Sequence, residues 1–313
     1  MADLTELARR VREHPGLLAK RDLRHVAETV GGDGDDAALI NIVDQYAGVL
    51  AAEAIRPELI AADPRVAGIA GVVTVLNDLA ATGAHPMAIL DTVVGSDEIV
   101  RAVLQGVKAA ADLYRVPVVG GHTTVRDGDP ALSTFALGWS GRPLRAENAR
   151  EGDPLCLLVC RTGEMVEGPD GSLLFSHLRG PRREHAAADL TLLTAAAETG
   201  EAWAARDVSM PGVVGSLLQF LESAGGLGCA LDVDAIPVPD GVALVDWLVA
   251  FPSYAFLLCG DPERLARRFS ADGLVCAQVG VLDRSGSLRL RSGSVEVAVW
   301  DLASEPLASL SRS

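Results

Sequence analysis

Between Arg65 and Arg101 the chain carries no lysine or arginine, and the run VAGIAGVVTVLNDLAATG inside that interval holds one carboxylate, Asp78. Asp63 or Pro64 suits the start of a helix there, and Gly83 with Pro86 its end. A helix with a single acid on so apolar a surface has to pair it, expose it locally or bind a cation with it. No basic residue nearby in sequence offers itself as the partner.

The flanking elements set the fold class. DAALINIV and GVLAAEAI read as two strands joined at Asp44-Gln45, and MAILDTVVG as a third. SDEIVRAVLQGVKAAADLYRV reads as a capped amphipathic helix, PVVGG as a short strand ending in glycines, and STFALGWSG as a further strand. The order β-β-α-β-α-β-β predicts an α/β (α+β) first half, preceded by a helical segment broken near His14-Pro15-Gly16. GRPLRAENAREGDP has linker chemistry, so we expect a boundary near 145 to 153, with one domain over 1–150 and a second α/β domain over 151–313. Strands are expected at LCLLVC, CALDVDAI, YAFLLCG, VCAQVGVL and SLRLRSG. Helices are expected at AAADLTLLTAAAET, MPGVVGSLLQFLESAG, ALVDWLVAF and PERLARRFS.

Charge narrows the partners. A net charge of -15 disfavours nucleic acid and anionic membranes, whose phosphates it would repel. It leaves room for a phosphorylated small molecule if divalent cations supply the compensating charge. No run reaches about 18 uninterrupted apolar residues, so no membrane span is expected. The start MADLTELARRVREHPG reads as a charged amphipathic helix rather than a secretory signal. Five cysteines, an odd number, are expected to be reduced thiols in the cytoplasm.

The stretch GGDGDDAALINIVD crowds Asp33, Asp35 and Asp36 ahead of a strand. Counted from Asp33 as a calcium loop it fails, with Ala37 and Ala38 where an oxygen ligand and the required glycine belong. A solvated acidic turn is one reading. The other joins Asp35 and Asp36 to Glu53, alone in the apolar AAEAI, and to Asp78, through a shared metal ion. The chain has no G-x-x-x-x-G-K-[ST], no strand-to-helix G-x-G-x-x-G, no H-E-x-x-H and no paired C-x-x-C spacing.

GDDAALI, LNDLAATGAHP and VVGGHTT, followed by ARDVSMPGVVGSL and GLGCALDVDAIPV, resemble in order and spacing the aminoimidazole ribonucleotide synthetase (PurM-like) superfamily. Its members include thiamine-monophosphate kinase, selenophosphate synthetase, a hydrogenase maturation protein and formylglycinamidine synthase. The resemblance spans roughly residues 30 to 300. It implies an N-terminal domain that forms a β-barrel across a homodimer and a C-terminal α/β sandwich. It also implies ATP in the cleft, held through Mg2+ by acids. On matching positions Asp35, Asp36, Glu53, Asp78 and Asp207 would be metal ligands, with Glu53 where relatives usually have Asp. Gly120, Gly121, His122, Thr123 and Asn77 would contact the nucleotide, and Asp207, His122 and Lys20 would serve catalysis.

Departures from the family leave the activity open. His122 follows the two glycines as in selenophosphate synthetases, where kinase and maturation branches carry an acid. Yet no cysteine precedes residue 156, and Lys20 is the one lysine in the N-terminal segment. PSYAFLL lacks the acids of the thiamine-monophosphate kinase strand. The resemblance therefore implies an ATP- and Mg2+-dependent phosphotransferase or synthetase acting on an unidentified small molecule. A nucleotide-binding accessory protein that has lost turnover is the rival. The basic segment 176–185, with Arg179, Arg182, Arg183, His177 and His185, is either an anionic-substrate contact or a solvated loop.

Overall fold

A computed structural model describes residues 3–22, 37–43, 46–210 and 212–308. Asp33, Asp35, Asp36 and the Asp44-Gln45 turn lie outside the described residues. The helical segment before them is α1 (Leu4–Arg12) and α2 (Pro15–Ala19), broken where Pro15 forces a new start.

Strands β1 (Ala38–Val43), β2 (Tyr46–Ile55), β3 (His85–Gly95), β4 (Val118–Val125) and β5 (Ala131–Ser140) form one sheet in the order β1-β2-β5-β3-β4. Helices α3 (Pro57–Ala62), α4 (Pro64–Ala81) and α5 (Asp97–Tyr114) cover one face. That sheet is open within one chain, with no closed barrel among the described strands.

The apolar run that opened the sequence is α4. The Asp63 carboxylate accepts the Val66 N–H at 3.0 Å and Pro64 occupies the first turn. Small residues let the helix lie almost on its neighbours. A side-chain carbon at Gly68 would stand 2.1 Å from the Val103 carbonyl oxygen, and one at Gly106 would stand 2.0 Å from that of Arg65. Thus α4 and α5 meet backbone to backbone.

The second half builds on β6 (Pro154–Cys160). It continues with β7 (Glu164–Glu167), β8 (Leu173–Ser176), α6 (Ala186–Glu198), β9 (Ala202–Asp207), α7 (Gly212–Ser223) and β10 (Gly228–Asp232). Then come α8 (Leu244–Trp247), β11 (Phe251–Pro252), β12 (Ala255–Gly260), α9 (Pro262–Arg268), β13 (Leu274–Asp283), β14 (Ser287–Ser292) and β15 (Val295–Asp301). The seven-stranded sheet runs β15-β14-β10-β13-β6-β12-β9, and β11-β8-β7 form a small separate sheet. Leu4, Leu7, Val11 and Leu17 of the N-terminal helices join the core beneath the large sheet, and α1 packs on β15 and β14.

Several elements differ from expectation. β4 does not stop at its glycines, because parallel pairing with β3 carries it through His122 and Thr123 as far as Gly95 opposite Val125. β7, β8, β9 and β15 were not expected as strands. The helix expected over ALVDWLVAF is the single turn α8.

Candidate functional site

α4 is the hinge of the site, since it packs on the first sheet and also on β9 and α6 of the second half. Thr194 Oγ1 donates to the Ala84 carbonyl at 3.0 Å, and Asn77 Nδ2 donates to the Ser253 carbonyl at 3.1 Å, both buried. Asp78, 8% exposed, follows Asn77 on the helix and so lies close to this junction. Asp207 ends β9, 4% exposed, paired in register with Phe256.

Glu53 comes to the same junction from β2. Burial pushes its carboxyl up to about 6; the Lys20 ammonium opposes that rise, the Asp207 carboxylate adds to it, and the Ala54 N–H opposes it. Three residues distant in sequence therefore share one electrostatic environment. Lys20 arrives because α1 is fixed to the second sheet and the following turn crosses the loop after Asp207. A side-chain carbon on Gly16 would stand 2.7 Å from Met210 Cγ. The Arg56–Asp170 ion pair, with Arg56 Nη2 donating to Ser172 Oγ at 3.2 Å, joins the end of β2 to the loop between β7 and β8.

The register separates the other expected residues. Glu53 lies opposite Thr134, Thr134 opposite Asp91, and Asp91 opposite Gly121, so these four share the helix-covered face. His122 lies opposite Thr92 and faces the other way, its Nε2 3.4 Å from Thr124 Oγ1. Thr123 is on the Glu53 side. Gly121 is required for a reason its motif does not convey, since a side-chain carbon there would stand 2.4 Å from the Asp91 carbonyl oxygen. Gly120 has Leu90 beside it on the open face, at 3.4 Å from where its side chain would begin. Asn77 is 1% exposed, and among the described residues its Oδ1 has no hydrogen-bond partner.

Among the described residues, no group of three His, Cys, Asp or Glu side chains is placed to hold a metal ion. A metal bound by Glu53, Asp78 or Asp207 would need oxygens from elsewhere, such as Asp35, Asp36 or a phosphate. The raised carboxyl of Glu53 fits such an ion, because a half-buried acid beside a second acid is short of positive charge.

The basic segment resolves into internal partnerships. Arg182 forms an ion pair with the buried Asp189 and donates to the Asp272 carbonyl at 2.6 Å, while Arg179 stands 3.6 Å from Glu164. His177 is buried, and burial, assisted by Arg182, lowers its pKa to about 3. Ser253 Oγ accepts the His177 N–H at 2.9 Å and lies 2.6 Å from Nδ1. Sequence reasoning missed the Asn77–Ser253–His177 connection, since each residue is unremarkable in its own segment.

The N-terminal domain of the AIR synthase related protein family matches residues 34–140. The uncharacterized protein sll0787 of Synechocystis sp. is 32% identical, over 97% of this chain and 98% of its own. Thiamine-monophosphate kinase of Rhodopirellula baltica is 34% identical over 53% of this chain and 48% of its own. The structure of T. maritima PurL complexed with AMPPCP superposes with a TM-score of 0.75 at 18% identity, covering 98% of this chain and 51% of that one. The chain thus spans about half the length of PurL, and nearly all of the Synechocystis protein. Its mixed α/β architecture is the PurM-like fold, and the chain belongs to the AIR synthase related family.

Proposed function

We propose that the protein is an ATP- and Mg2+-dependent enzyme that phosphorylates or activates a small molecule through the γ-phosphate of ATP. The observation that carries this reading is the meeting of Lys20, Glu53 and Asp207 beside the buried Asn77-Asp78 pair, at the junction of the two halves. Glu53, Asp78 and Asp207, joined by Asp35 and Asp36, would hold Mg2+ against the phosphates. The bound ion would neutralise charge that this acidic chain could not otherwise tolerate. Lys20 would contact the phosphate chain as a point charge, and Thr123, on the Glu53 face, would donate to it. His122 would act only through the β4 backbone and Thr123. In this reading residues 1–150 and 151–313 are the two domains that enclose the nucleotide. Binding of AMPPCP by PurL, as its structure is described, supports the nucleotide.

The chemistry asked of the side chains is positioning and charge stabilisation. The second reading, a nucleotide-binding accessory protein without turnover, draws on Ser253. It stands between β11 and β12, in FPSYAFLL, where the kinase branch has an acid, and its hydroxyl is engaged with His177. Isothermal titration with ATP and Mg2+, followed by phosphate-release assays over candidate substrates, separates the two. We expect Mg2+-dependent ATP binding in the wild type and at least about tenfold weaker binding in Asp78→Asn and Asp36→Asn. Binding without turnover supports the accessory reading. Unchanged affinity in both variants removes the metal site.

A further inference from the structure

A cavity of about 370 Å³ lies between α5 and the start of β4, and Lys20, Glu53, Asp78 and Asp207 do not line it. Asp91 reaches it from the covered face of β3. That carboxylate is on a residue only 5% exposed, and among the described residues no donor or cation bonds to it. Burial raises its pKa. Gly121 leaves it room, since a side-chain carbon there would stand 3.0 Å from Asp91 Oδ2. Among the described residues the one cation on the wall is Lys108, tied to Asp112 at 2.6 Å, with both side chains largely in solvent. Val107, Val116 and Val118 supply apolar walls.

An ionised carboxylate without a partner in such a place gains charge-assisted hydrogen bonds when a cation joins it. Two carboxylates against one engaged lysine disfavour an anion. A hard divalent ion asks for about six oxygens, which these walls do not offer. An ammonium group meets a single carboxylate with up to about three donors, and an attached alkyl chain gains by covering the valines. We propose that this cavity binds a small primary alkylammonium, its head on Asp91 and its chain against Val107, Val116 and Val118. The proposal stands independently of ATP binding.

Isothermal titration of the full chain with n-butylammonium chloride tests it, with sodium chloride and n-butanol as controls. Saturable binding of one butylammonium per chain is expected, with neither control binding. Asp91→Asn should weaken it at least about tenfold, through loss of the charged hydrogen bonds. Val118→Trp, at a partly exposed position on the rim, should weaken it similarly by filling the cavity. Should Asp91→Asn not fold by circular dichroism, Val118→Trp decides alone. The proposal is overturned if the wild type shows no saturable heat, if butanol binds as well as the amine, or if a folded variant keeps full affinity.

Discussion

Glu53 carries a cost that the fold accepts. Its carboxyl titrates at about 6 in the native chain against 4.5 in the unfolded one, mainly through burial. The native state therefore holds the proton more tightly. Stability from this group is full below pH 4.5 and is lost as pH rises through about 6, roughly 2 kcal/mol in all. Glu53→Gln should remove that dependence, so urea unfolding between pH 4.5 and 7 should show the wild type losing about 2 kcal/mol relative to the variant. Parallel pH profiles would contradict the burial argument. A stabilised Glu53→Gln that binds Mg2+-ATP weakly would mark this acid as kept for binding. At this scale the sequence was most legible where an acid interrupts an apolar run, as at Glu53 and Asp78. Asp91 interrupts MAILDTVVG in the same way but is not legible there, because a strand's alternation lets one acid pass as a solvent-facing residue. The side it faces depends on β5 and α5, neither of which the local pattern contains.

Between elements, the contact of α4 with α5 rests on missing atoms. Gly68 and Gly106 each put backbone where a methyl group would stand 2.1 and 2.0 Å from the other helix's carbonyl oxygen. Neither glycine has a positive φ, so alanine would suit the local helix and gain propensity there. The interhelical clash should still prevail. Gly106→Ala is expected to destabilise by about 1–3 kcal/mol, read from the urea midpoint at unchanged slope. A neutral or stabilising result would show that the helices can slide apart freely. The sequence revealed both helices through their caps and apolar periodicity, but a glycine inside an apolar run does not say which neighbour it admits. The same limit explains the overlooked strands. EMVE and LLFS are too short and too mixed for a two-residue period to emerge, and AWAARD pairs with β12 some 50 residues downstream. The family motifs located Asp207 without recognising the strand that carries it.

For the whole molecule, the open face of the first sheet is the unbalanced surface. Leu50, Leu90, Val119 and Phe135 are each more than a third exposed, and Leu90 lies opposite Phe135. Among the described strands β4 is at the edge of its sheet, and its residues are exposed along nearly its whole length. Such a face with an unpaired edge favours association, and a second copy would cover both. Opposing this, each copy carries a net charge of -15, so two copies repel unless salt screens them. The two effects make a joint prediction: light scattering should find a dimer whose dissociation constant falls as ionic strength rises from about 0.01 to 0.15 M, over which the screening length shortens from about 30 to 8 Å. Leu90→Glu combined with Phe135→Glu should give a folded monomer at both salt concentrations, because it adds charge where the apolar gain arises. A wild type that is monomeric at both, or a dimer that survives the double substitution, would place the association surface elsewhere. A dimer that weakens with added salt would mean that ion pairs, rather than this sheet, hold the copies together.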